Sequence, residues 1–287
     1  MTEVPEWYSR AIATEPEIGE LRVDGARITT RSWGSPDADG IVLAHGGAAH
    51  ARWWDHIAPM LSANHRVVAL DFSGHGDSDY RTTYSLDSWA RELLAVVGGF
   101  AEPPTLVGHS MGGLISLRAA AMAGEGVGGL IVVDTPVSEP PPEELAASDK
   151  IAFGPKRRYG SQKEAIARFR PVPPQPTLPY VEEYVASHSV MNAGDGWVWK
   201  FDPRVFERPV ITDEVLTRLG CRVAFLRAQN GMIDPEMEQI IYDGLGRIAP
   251  VIEIPEAGHH VMLDQPLAHV TGIRTLLGEW DHSLPLA

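Results

Sequence analysis

Thiols are nearly absent from this chain of 287 residues: Cys221 is the one cysteine. An internal disulfide is therefore excluded, and with it a disulfide-stapled scaffold. Long apolar runs are missing too; the longest reach about six residues, against the roughly 20 that a membrane span needs. Positive charge is scarce, with Lys+Arg 24 against Asp+Glu 38 and a net charge of -14. So acidic a surface repels phosphate backbones and anionic headgroups, so neither a nucleic-acid partner nor membrane insertion is expected. MTEVPEWYSR, at the start, carries early acids and no apolar core, unlike a secretory leader. The expectation is a cytoplasmic protein. No internal repeat is visible. The 44% hydrophobic and 22% charged residues are globular values, and the length suits one large domain or two small ones.

What is present is alternation. Apolar runs of strand length recur, each followed by a turn signal and a stretch of helical period, which argues for an α/β protein with a mostly parallel sheet. Residues 21–33 read as a hairpin turning at Asp24-Gly25. Strands follow at 41–44, 66–71, 105–107 and 130–133, with helices at 53–61, 86–97 and 114–122. From Thr135 to about Asp213 no strong strand is visible and prolines cluster. Short helices fit at 161–170 and 178–190. Phe169, Tyr180, Tyr184, Trp197, Trp199, Phe201 and Phe206 are too dense a set of aromatics for a linker and call for burial. Of Trp197 and Trp199, alternation would let one line a cleft while the other packs. Strands return at 222–226 and 251–254, the latter followed by the turn PEAGHH, with a helix at 235–245 between them. A last helix over 266–280 places Leu267, Val270, Ile273, Leu277 and Trp280 on one face.

Gly108-His109-Ser110-Met111-Gly112 has the form G-x-S-x-G, directly after an apolar strand and directly before a helix of small residues. In that context the motif marks a sharp turn holding a serine in a strained conformation, its hydroxyl in a cleft at a helix N-terminus. The plain alternative, Ser110 as a simple N-cap, would need no glycine on both sides. A serine nucleophile needs a base and a group to orient that base. Among 11 histidines, His259 follows the last apolar strand, on the rim that a doubly wound sheet shares with the Ser110 turn. Its neighbour His260 is the alternative, and only one of the two can face the serine.

GHSMGG after a strand, HGG after an earlier one, DFSGHGDSD and AGHHVMLDQP together resemble, in order, the α/β-hydrolase superfamily over about residues 20–134 and 212–282. The resemblance implies an eight-stranded, mainly parallel sheet flanked by helices, with a helical cap inserted after the sixth strand. The core would then be 1–134 and 213–287, and the cap 135–212. In the commonest layout the triad acid follows the seventh strand in a pattern like G-x-x-D-x-x-x-P. Here, counting back four from Pro235 lands on Gly231. Asp234 abuts that proline and reads well as an N-cap. Some family members carry the acid after the sixth strand, which is where Asp134 stands, and a charge ending a buried strand calls for a partner. We assign the acid to Asp134 and keep Asp234 as the alternative. The resemblance also implies an oxyanion hole from the amides of Gly47 and Met111, with His45 holding its loop in place.

Asp71-Phe72-Ser73-Gly74-His75-Gly76-Asp77-Ser78 lacks the lysine and spacing of a phosphate loop and reads as a structural turn. His45, His50, His56, His65 and His75 show no metal-ligand spacing, so neither metal nor cofactor is expected. Trp53-Trp54 reads as core and pocket wall, and Cys221 as buried and inert. The expectation is a serine hydrolase cleaving a carboxylic ester or lactone, of small and apolar character, through an acyl-enzyme. The alternatives are a C–C bond hydrolase, a cofactor-independent dioxygenase of the same fold, or a non-enzymatic small-molecule receptor. A serine at position 110 argues against dehalogenase and epoxide hydrolase chemistry, which uses a carboxylate there. The sequence leaves the oligomeric state open.

Overall fold

The computed structural model describes residues 4–137, 157–206, 216, 219–247 and 249–282. The proline cluster at 140–142 and the expected domain boundary at 212/213 lie outside them. In chain order the strands are β1 (Glu17–Val23), β2 (Ala26–Trp33), β3 (Gly40–Ala44), β4 (Arg66–Leu70), β5 (Thr105–His109), β6 (Gly129–Val133), β7 (Val190–Asn192), β8 (Trp197–Trp199), β9 (Arg222–Asn230) and β10 (Val251–Gly258). The helices are α1 (Glu6–Ala13), α2 (Ala58–Leu61), α3 (Leu86–Val97), α4 (Met111–Ala123), α5 (Gln162–Ile166), α6 (Pro179–His188), α7 (Pro235–Gly244), α8 (Val261–Asp264) and α9 (Pro266–His282).

Eight strands form one sheet in the order β1-β2-β4-β3-β5-β6-β9-β10. The pairs β1/β2 and β2/β4 are antiparallel, and every pair from β4 to β10 is parallel. The β1–β2 hairpin turns where expected: Asp24 and Gly25 both have positive φ, the geometry of a tight primed turn. The central strands are buried on both faces, which is why they read as unbroken apolar runs. Ile41 and Leu43 of β3, with Ile131 and Val133 of β6, belong to the core on one face; Val42, Leu130 and Val132 belong to the core on the other. The period-2 alternation of strand side chains divides each run between two helix layers. No helix among the described residues is long and apolar enough to cross a membrane.

Strand order fixes where a cleft can open. From β3 the chain moves outward to β4, whereas β5 lies on the other side of β3. The loops after β3 and β5 therefore part at the carboxyl edge of the sheet, and a crevice opens between them.

Five local expectations differ from the structure. Residues 53–61 form a 3₁₀ turn (Ala51–Trp54) and the short α2 rather than one helix. The stretch 135–213 holds a small antiparallel pair, β7 with β8, too short to stand out in an apolar pattern. Trp197 and Trp199 share one side of β8, because residues two apart in a strand face the same way; Val198, 1% exposed, takes the other. Leu267 is 47% exposed, because Pro266 takes the buried place in the first turn of α9 ahead of Val270, Ile273 and Leu277. In addition, β10 runs on through most of the expected PEAGHH turn, absorbing it as an irregularity between Ile254 and Gly258, with Glu256 at φ 57°.

The described part of the segment between β6 and β9 packs against the core of the sheet. Its Phe169 is buried in the core, with Tyr180, Tyr184 and Trp199 against it. The Tyr184 hydroxyl donates to Asp55 Oδ2 at 2.6 Å, and Asp55 is itself in a buried pair with Arg31 at 2.8 Å. His50 Nε2 donates to Ser189 Oγ at 2.8 Å, since that hydroxyl donates its own proton to Val185. Of the seven aromatics singled out in the sequence, Phe169 is buried and the other six are partly buried.

Candidate active site

Ser110 sits between β5 and α4 with φ 54° and ψ -123°, a conformation that L-residues rarely adopt. Glycines make the turn possible. A Cβ on Gly112 would lie 2.4 Å from the Ala44 carbonyl oxygen, and one on Gly108 would lie 2.4 Å from the Gly112 carbonyl oxygen. The Ser110 hydroxyl makes no cap hydrogen bond to α4. It lies 3.0 Å from His259 Nε2 instead, so the simple N-cap reading fails.

His259 follows β10 and is 3% exposed. Its Nδ1 lies 2.7 Å from Asp134 Oδ2. A carboxylate there holds the proton on Nδ1 and leaves Nε2 as acceptor for the serine proton. Asp134, at the end of β6, is fully buried. Such a charge is costly unless its lone pairs are met. Its Oδ1 accepts from the Ala228 amide at 3.0 Å and its Oδ2 from the Met232 amide at 2.9 Å. Gly231 lies against this carboxylate: a Cβ there would fall 2.3 Å from both of its oxygens. The missing acid at position 231 and the carboxylate arriving from position 134 are two sides of one packing arrangement.

Asp234 is elsewhere. It caps α7, accepting from the Met237 amide at 2.8 Å with Pro235 at the first helical position. His260 points away from the serine, with Nε2 on the Val172 carbonyl at 3.0 Å.

Gly47, on the loop after β3, faces the start of α4 across the crevice. A Cβ added to it would lie 4.0 Å from Met111 Sδ and 3.1 Å from the ring of Phe206. His45 holds the loop's base: Nε2 accepts from the Phe72 amide at 3.1 Å and Nδ1 donates to the Gly46 carbonyl at 2.8 Å. Burial, aided by nearby His75, pushes its pKa well below the ordinary histidine value and keeps it neutral. Asp71 ties this loop to the glycine-rich turn, accepting from the Ala51 amide at 2.6 Å and the Asp77 amide at 2.8 Å. Burial raises Asp71 to about 6. Within the turn, the Ser78 hydroxyl donates to the Asp71 carbonyl at 2.6 Å. Cys221 is only partly buried, and desolvation pushes its thiol up to about 11, which leaves it a poor nucleophile.

One feature was not legible in the sequence. His109, His259 and His260 converge, with ligand-type atoms within 4.8 Å of one another. Their spacing, 109 against 259 and 260, matches no local metal motif. His259 has both nitrogens engaged by Asp134 and Ser110, and His109 donates from Nε2 to the His259 carbonyl at 2.8 Å. In this arrangement His109 supports the His259 turn. The signal was the variable residue of G-x-S-x-G, which sits beside the turn because β5 and β10 end at the same rim.

An aromatic row runs on from His260: Trp53 lies 5.4 Å from His260 and 6.1 Å from Phe169, and Phe169 lies 6.1 Å from Trp199 between ring centres. Phe201 and Phe206 form a T-shaped pair, 5.9 Å apart, on the Gly47 side.

Residues 41–270 match the alpha/beta hydrolase family. The chain belongs to that family. Among curated relatives, it is similar to an esterase of Mycobacterium tuberculosis, 27% identical over 273 residues that cover 91% of this chain and 89% of the relative. A shorter likeness, 36% over 103 residues, covers 35% of this chain and 39% of a pimeloyl-[acyl-carrier protein] methyl ester esterase of Methylococcus capsulatus. Among solved structures, E-2-(acetamidomethylene)succinate hydrolase superposes with a TM-score of 0.78 at 20% identity, over 91% of this chain and 100% of that one. At that identity the likeness concerns the fold alone. The family's hydrolase core is thus the frame in which this site sits.

Proposed function

We propose that the protein is a serine hydrolase of carboxylic esters, lactones included, working through an acyl-enzyme. The observation that carries this reading is the chain of two hydrogen bonds, 3.0 Å from Ser110 Oγ to His259 Nε2 and 2.7 Å from His259 Nδ1 to Asp134 Oδ2. Ser110 Oγ attacks the ester carbonyl carbon as its proton passes to His259 Nε2. Asp134 stabilises the imidazolium. The oxyanion is met by the amides of Gly47 and Met111. His259 then returns the proton to the leaving alcohol, and the ester bond breaks. Water, deprotonated by the same imidazole, attacks the acyl-enzyme and releases the acid together with Ser110. The residues present supply nucleophile, base, orienting acid and oxyanion donors between them.

The segment within 135–212 serves in this reading as the cap, and its aromatics favour an apolar acyl or alcohol portion. Likeness to the mycobacterial esterase supports ester chemistry over the other reactions of the fold. A fluorophosphonate probe tests the proposal: wild type is labelled and turns over short p-nitrophenyl esters, whereas Ser110→Ala is unlabelled and loses about 10³- to 10⁶-fold in kcat. A folded wild type that is neither labelled nor active on an ester and lactone panel removes the reading.

A further inference from the structure

The turn that carries His259 is gripped from a part of the chain that carries none of the proposed chemistry. Residues 171–176 read Pro-Val-Pro-Pro-Gln-Pro. Proline lacks an N–H and disfavours helix in the residue before it, so this stretch cannot coil. Gln175 is flanked by proline on both sides, and its side chain reaches the turn. Its Oε1 accepts from the His260 amide at 2.7 Å. Its Nε2 donates to Asp264 Oδ2 at 2.9 Å and lies 3.3 Å from the His260 carbonyl oxygen. Asp264 Oδ2 also accepts from the Gly258 amide at 2.6 Å. The amides on either side of His259 are therefore held by Gln175 and Asp264 acting together. Gly258 is shaped for this grip: a Cβ there would lie 2.8 to 3.0 Å from Gln175 side-chain atoms. From β5, His109 holds the His259 carbonyl itself.

We propose that Gln175 is a positioning residue, which fixes the His259 turn so that the imidazole stays aligned on Ser110 Oγ. The proposal rests on the Ser110–His259 reading above. Gln175 touches no reacting atom; it acts through the backbone of residues 258–260. A proton transfer across 3.0 Å depends steeply on alignment, so a loosened turn slows chemistry while leaving the ester's binding surface in place.

The test compares wild type, Gln175→Met and Gln175→Ala, with Ser110→Ala as reference. Methionine keeps the bulk against Gly258 and removes the hydrogen bonds. Measured are kcat and KM on p-nitrophenyl acetate, the second-order rate of fluorophosphonate labelling, and Tm. Expected for Gln175→Met is a drop of about tenfold in both kcat and labelling rate, with KM within about twofold and a cooperative melting transition retained. Gln175→Ala should fall at least as far. If Gln175→Met retains wild-type kcat and labelling rate, or changes KM alone, the proposal is overturned: the side chain then only fills space or borders substrate. If Ser110→Ala itself keeps wild-type activity, the parent reading fails and this one falls with it, an outcome separate from the first.

Discussion

Asp134 and Asp234 show how two aspartates near one site come to different uses. Asp134 ends a fully buried strand, adopts φ 40° and has no solvent to turn to. The Ala228 and Met232 amides and the His259 imidazole take up its lone pairs. Asp234 is spent on the first turn of α7. Asp134→Asn is expected to lower kcat on an ester by about 10⁴-fold, because an amide facing Nδ1 favours the wrong imidazole tautomer. Asp234→Ala is expected to leave kcat unchanged and to cost about 1 kcal/mol of stability, the usual price of a lost N-cap. Steady-state kinetics and urea unfolding of the two variants decide; a collapse of kcat in Asp234→Ala alone would reverse the assignment.

At the scale of elements, the loops after β3 and β5 set the mouth of the crevice, and Phe206 stands over the Gly47 side of it. On the proposed reading the acyl group runs past that ring. Phe206→Ala is therefore expected to raise kcat/KM for p-nitrophenyl octanoate relative to the acetate by about tenfold, a common size for such a steric change in an apolar pocket. An unchanged ratio would place Phe206 off the acyl path. Most elements were legible in the sequence because the central strands are buried on both faces and their turns carry glycine. The 3₁₀ break at Ala51–Trp54, the small β7–β8 pair and the irregularity in β10 were not. Each is set by what it packs against, and local pattern does not record that.

At the scale of the whole molecule, buried histidines govern the response to acid. Burial holds His45, His50, His109 and His260 well below the ordinary value of 6.5, His56 and His75 at about 4, and His269 at about 3. These groups stay neutral in the folded chain and gain protons below 6.5 only on unfolding. Unfolding thus takes up protons between about pH 6.5 and 4, and stability falls as pH falls through that window. Asp71 and Asp264, both raised from 3.8 to about 6, act in the opposite direction by binding protons first in the folded state. His188 is also lowered and Glu92 also raised by burial, so eight histidines stand against three acids and decide the sign. His56 and His75 each cost the fold about 2 kcal/mol at pH 5 relative to pH 7. The urea midpoint should therefore drop clearly between pH 7 and pH 5; a midpoint that holds or rises would contradict this account.

Sequence alone determined the sheet's central strands, the strained serine turn and the histidine on the last strand's loop. Each is written into contiguous residues, where apolar runs and glycine spacing act over a few positions. It also narrowed the acid to two residues. Which of them faces the imidazole, that Gly231 leaves room for a carboxylate from 134, and that Gln175 and His109 hold the His259 turn were decided only by the tertiary structure. Those hydrogen bonds join residues 85 to 150 positions apart, and hydrogen-bond direction and the space a missing Cβ leaves exist only once the sheet has brought them together.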